Sequence, residues 1–238
     1  MRPNAAPGEA PGLNHIAGQV ADQGDLALAA SLYARAAKQS PTAENFVALG
    51  NARLAIDRPH DAAEAFRSAL KRDRDNARAL LGLGEARLRQ GQFEYALQVL
   101  KPAAARLNSV HAWSQLAIAR IARGDAEGGA AAFGMAAAET DNLDAQANYA
   151  LAEALAGHDQ TAIQLMRRIC DSPIAETRHF RNLLLILVLT GNDTEARALS
   201  IPGLAATRKQ ELLERAEQIR DLPDVAARAR AIGIAKAG

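Results

Sequence analysis

A small residue recurs along the chain at Ala29, Ala62, Ala96, Gly129, Ala162 and Ala196, with gaps of 33, 34, 33, 33 and 34 residues. A period this constant over most of 238 residues leaves few folds open. Each period is a supersecondary unit that cannot bury its apolar side alone, so neighbouring units must stack. The expected product is one elongated array whose core grows with every unit, an architecture that binds and scaffolds far more often than it catalyses.

Each period reads as two helices and a turn. From Ala43 to Asn76, Phe46, Leu49 and Gly50 fall at helical spacing, and Arg58-Pro59-His60 breaks the run because proline cannot continue a helix. Asp61 is expected to start the second helix, which carries Ala62, Ala65, Phe66, Ala69 and Leu70 as a one-sided apolar stripe. Sister units place Gly24, Gly91, Gly124, Gly157 and Gly191 in the turn, where glycine supplies the left-handed backbone that ends a helix. The small recurring residue marks where the two helices cross, and Phe66, Trp113 and Phe133 fill the gaps between neighbours. Pro102 falls inside a second helix and predicts a kink there.

The order of an apolar residue, leucine, then glycine or alanine, followed by a turn glycine and a spaced Ala, Phe or Tyr and Ala, resembles the tetratricopeptide repeat. The resemblance spans residues 10–203 in six units and implies an all-α fold, a right-handed superhelix (α-solenoid). Gln146 and Ser200 depart from it in the fifth and sixth units. Residues 1–9 read as a flexible leader and 204–238 as C-terminal capping helices. The first capping helix covers 205–220, with Leu212, Leu213, Ala216 and Ile219 on one face. A shorter one starts with Leu222-Pro223-Asp224, proline in its first turn.

The composition supports binding more than chemistry. Hydrophobic residues make up 49% of the chain but aromatics only 4%, and the net charge is +1. That balance argues against a general electrostatic hold on nucleic acid. The single Cys170 excludes a disulfide framework and reads as a packed small hydrophobe. His15, His60, His111, His158 and His179 lack metal-ligand spacing, and His60 and His158 fall in turns. No catalytic residue, metal site or cofactor is expected. Arg123-Gly124-Asp125 reads as an ordinary turn.

In tetratricopeptide arrays the first helices line an inner groove. Carried onto this chain, those positions are Val47, Asn51, Leu54, Leu81, Glu85, Leu88, Ser114, Ile118, Ile121, Ala147, Leu151, Ala154, Arg181, Leu185 and Val188. Much of the set is aliphatic, which suits an apolar or amphipathic partner segment. The alternative is that part of it is core between adjacent first helices. On the groove reading, glutamate at Leu88 and Ile121 abolishes binding and leaves the fold intact.

The stretch Glu176–Leu199, through Arg181, Asn182, Leu183, Leu185, Leu187, Leu189, Gly191, Glu195 and Ala196, resembles the closing repeat of the TadD family, tetratricopeptide lipoproteins of tight-adherence (Flp) pilus systems. Asp221-Leu222-Pro223 echoes that family's tail. The resemblance implies a non-catalytic scaffold that assists assembly of the pilus and its outer-membrane secretin. The implied partner is a secretin subunit or another assembly component. The implied place is the periplasmic face of the outer membrane, through an N-terminal lipid anchor that the sequence as written does not carry. Taken as complete, the chain is expected to be cytoplasmic. A type IV pilus pilotin, a cytoplasmic adaptor and a regulatory domain of a larger enzyme are the competing readings, and self-association through the groove stays open.

Overall fold

The structure, a computed structural model, describes residues 12–234; the expected leader lies outside the described residues, as do residues 235–238. Every regular element among the described residues is an α-helix. The chain divides into two compact units, Met1–Gly91 and Gln92–Gly238.

The first unit holds α1 (Leu13–Asp22), α2 (Leu26–Gln39), α3 (Ala43–Ala55), α4 (Pro59–Leu70) and α5 (Ala77–Arg89). Each helix packs on the next, and α3 also packs on α5. Side-chain caps fix several starts: Asp25 accepts from the Leu28 N–H (3.0 Å), Thr42 from Asn45 (3.2 Å) and Asn76 from Ala79 (3.0 Å). Each bond satisfies an amide that lacks an intrahelical partner. Gly24 makes the first turn at φ 90°. In the second turn Asp57 takes the left-handed backbone, at φ 54°, although it carries a side chain. Helix α4 then starts at Pro59, not at Asp61, and His60 lies within it. Proline suits a first helical position because its missing N–H would have no partner there.

The core of this unit is built by size matching. Ala29 and Ala62 are buried at the helix crossings. The Phe66 ring is fully buried between two glycines: a Cβ at Gly50 of α3 would lie 2.6 Å from it, and one at Gly82 of α5 only 2.2 Å. Only residues without a Cβ let both helices approach the ring this closely. The Arg72 guanidinium lies 4.3 Å from the centroid of the Phe46 ring.

The second unit holds α6 (Phe93–Leu107), α7 (Val110–Ala122), α8 (Ala126–Ala138), α9 (Leu143–Ala156), α10 (Asp159–Cys170), α11 (Thr177–Leu189), α12 (Asp193–Ala198), α13 (Ala206–Arg220) and α14 (Val225–Ile232). Helix α6 continues through Pro102 to Leu107. Gly124, Gly157 and Gly191 all take positive φ in the turns, and Arg123-Gly124-Asp125 is such a turn, with Asp125 capping α8. Arg120 Nη1 donates to the Gly128 carbonyl at 2.8 Å, the same tie between paired helices that Arg53 makes to the Asp61 carbonyl at 2.8 Å.

The last pair is irregular. Helix α12 ends after six residues, and Ile201 beyond it is buried. Helix α13 packs on α11 as α5 packs on α3. Arg220 Nη1 donates to the Val188 carbonyl (3.1 Å), the counterpart of Arg89 Nη1 donating to the Leu54 carbonyl (2.7 Å). Helix α13 therefore stands as the first helix of a further, incomplete unit. Helix α14 does not complete it. It is capped by Asp224, which accepts from the Ala227 N–H at 2.7 Å, so Pro223 precedes the cap and does not occupy the first turn. Helix α14 packs back on α7 and α9 as well as on α13.

Candidate functional site

The expected groove positions sort into three columns. Four of the five positions of the last column are core: Leu54 is 6% exposed, Leu88 4%, Ile121 0% and Val188 1%. Each lies eight residues before the crossing residue of its own pair, at Ala62, Ala96, Gly129 and Ala196. At Gly129 an added Cβ would lie 2.2 Å from Ile121 Cγ1, so Ile121 points at the second helix of its pair and not into a groove. A glutamate at Leu88 or Ile121 therefore tests stability and not binding. In the first column Val47 and Ala147 are buried, Leu81 and Ser114 are half-buried, and Arg181 is exposed. In the middle column Asn51 is exposed, Glu85, Ile118 and Leu185 are half-buried, and Leu151 is buried. Ala154 is half-buried.

Within the second unit, part of the first-helix face is taken. Helix α14 lies on α7 and α9 with Ala229 fully buried. Beside it, a crevice of about 240 Å³ opens between α11, α13 and α14. Its apolar lining comes from Leu184 and Leu185 of α11, Leu212, Ala216 and Ile219 of α13, and Ala231 and Ile232 of α14, with Arg181, Asn182 and Arg215 as its polar members. Arg181 and Leu185 are among the groove positions expected from the sequence; Arg215 and the α14 wall are not, since no sequence periodicity brings α13 and α14 to α11. A second open space, about 430 Å³, lies between α8, α9 and α10, where Gln146 stands in place of a large apolar residue.

The other polar clusters are structural ties. Buried His179 accepts the Glu176 N–H at Nδ1 (2.9 Å), which leaves Nε2 to donate to Asp144 Oδ1 (3.1 Å). Asp144 also receives Arg178 Nε at 2.7 Å. The Arg178 hydrogen bond is the main cause holding the Asp144 carboxyl below its ordinary range. His158 joins Glu153 (2.7 Å) and Glu127 (3.2 Å). The hydrogen bond to Glu153 is the main cause raising its pKa. Tyr149 is also raised, first by burial and then by Glu153. Burial pushes the Cys170 thiol up to about 11, far from the thiolate a nucleophile needs. Among the described residues no group of three or more His, Cys, Asp or Glu is placed to hold a metal ion, and no helix is long and apolar enough to cross a membrane.

Paired helices and a terminal half-pair define an α-helical repeat array. Residues 47–109 match the tetratricopeptide repeat family. None of the curated proteins compared matches the chain in sequence. Among solved structures, the chain is similar to PilW, a widely conserved type IV pilus biogenesis factor, at 18% identity and a TM-score of 0.66, covering 78% of this chain and 89% of that one. It is similar to PilF of Pseudomonas aeruginosa at 18% identity and a TM-score of 0.63, covering 78% and 86%. It is also similar to YrrB, a TPR protein with an unusual peptide-binding site, at 15% identity and a TM-score of 0.60, covering 83% and 97%. At these identities the likeness establishes the shared fold.

Proposed function

We propose that this chain is a non-catalytic protein-binding scaffold for assembly of a bacterial surface pilus of the tight-adherence type, acting on its outer-membrane secretin from the periplasmic face of that membrane. The observation that carries the binding role is the open end of the first-helix face, where apolar α11 and α13 residues border an unfilled crevice. The pilus role is supported by the closing-repeat pattern from Arg181 to Ala196 and by the fold shared with PilW.

The test is a chromosomal deletion in the source bacterium, with secretin multimers and surface pili measured. Loss of both, restored by the wild-type gene, and recovery of the secretin by cross-linking to the tagged chain are the expected results. Normal multimers in the deletion strain, or recovery of cytosolic proteins alone, defeat the pilus reading.

A further inference from the structure

The crevice between α11, α13 and α14 differs in its electrostatics from the helices that form it. On α13, Arg208 pairs with Glu211, Lys209 donates to the Arg197 carbonyl, Glu214 accepts from Gln210, Glu217 from Arg197, and Arg220 bonds Asp193. On α11, Arg178 and His179 are both tied to Asp144. Among the described residues, Arg181 of α11 and Arg215 of α13 are the charged groups of these two helices left without a hydrogen bond or ion pair. Both border the same crevice, and the Asn182 side chain beside them is likewise unbonded. Between them the lining is aliphatic, from Leu185, Leu212 and Ile219.

We propose that this crevice receives a large apolar side chain of a partner segment whose neighbouring Asp or Glu carboxylates pair with Arg181 and Arg215. The inference rests on the scaffold reading above and names the chemistry of the segment bound. The space, about 240 Å³, is below the size of drug-sized ligand sites and suits side-chain insertion. An apolar anchor desolvated between two guanidinium groups combines buried area with charge-assisted bonds, the pairing that concentrates binding energy at few residues. The acidic groups are side chains within the partner's chain, because two arginines on two separate helices call for two carboxylates.

The experiment uses the full chain and a fluorescein-labelled peptide, blocked at both ends, with leucine flanked by glutamates. Matched peptides carry glutamine for glutamate or alanine for leucine. Anisotropy reads the affinity, and amide chemical shifts read the location. The Glu/Leu peptide is expected to shift amides of α11, α13 and α14. Arg181→Gln and Arg215→Gln, both at exposed positions, should each weaken it about tenfold, as should either change in the peptide. Circular dichroism of the two variants checks that the helices persist.

No binding, binding indifferent to both arginines, or shifts confined to other helices overturns the proposal. So does binding that requires a free peptide C-terminus. If the peptide fails while the envelope experiment still recovers the secretin, the crevice assignment falls and the scaffold role stands. If the peptide binds as described and the secretin is not recovered, the partner assignment falls and the crevice stands.

Discussion

Phe66 in the first unit and Gln146 in the second pose the same packing problem and resolve it differently. Phe66 fills its space so fully that Gly50 and Gly82 must both lack a Cβ. Around Gln146 the α8 neighbours are also small, with Gly134, Ala137 and Ala138; the Tyr149 ring stands over Gly134, where an added Cβ would lie 3.3 Å from it, yet about 430 Å³ stays open. A stretch of small residues therefore does not by itself mean close packing. It means close packing only where the facing side chains fill the room, as Phe66 does between its two glycines and Gln146 does not.

The largest expected effect comes from reversing a tight contact. Ile121 is fully buried against Gly129, so Ile121→Glu should cost about 5 kcal/mol and unfold much of the protein, through lost apolar burial and a buried charge. Ile118→Glu, one turn away and half-buried, should cost about 1 kcal/mol. Equal urea midpoints for the two variants would break the distinction between core and groove columns.

Removing the ring comes next. Phe66→Ala should cost about 4 kcal/mol, read by urea unfolding. Gly82→Ala, which sets a methyl 2.2 Å from the ring, should cost about 2 kcal/mol by overpacking. In a Phe66→Leu background that cost should fall, because the smaller side chain yields space. Additive losses in the double-mutant cycle would mean that Gly82 is required for some reason other than the ring.

Gln146→Leu tests the open side of the comparison. A leucine that enters the gap beside Tyr149 and Ile169 should raise stability by about 1 kcal/mol. An unchanged melting curve would mean that the gap is wide enough for the new side chain to stay wet.

The same contrast explains what could be read from sequence. The helix pairs, the turn glycines and the crossing column were legible because they depend on local spacing: Gly24, Gly91, Gly124, Gly157 and Gly191 all take positive φ. Asp57 escaped that rule because aspartate, with its short polar side chain, also enters the left-handed region. The groove columns were half legible. Helical periodicity marks Leu54, Leu88, Ile121 and Val188 as apolar, but it does not say whether a stripe faces a partner or the second helix of its own pair. The least legible features are long-range. His179 is held by Asp144, 35 positions earlier, and α14 returns to α7 across nearly half the chain. No local pattern encodes either contact, so the crevice that α14 helps to wall was invisible.

The smallest effect expected is a pH dependence local to the second unit. His158 links Glu153 of α9 and Glu127 of α8, and its pKa is raised above the ordinary 6.5, first by the hydrogen bond to Glu153. A group whose pKa is higher in the folded state binds its proton more tightly there. Its contribution is fully present below about pH 6.5 and is lost as pH rises through the folded value. The urea midpoint should therefore fall modestly from slightly acid to mildly alkaline pH, a range in which Tyr149, raised above 10.0, stays neutral. His158→Gln should flatten that fall, and Glu127→Gln should reduce it by removing one of the two carboxylates. A wild-type midpoint independent of pH across this range would show that the exposed imidazole is screened by solvent too well to tie α8 to α9.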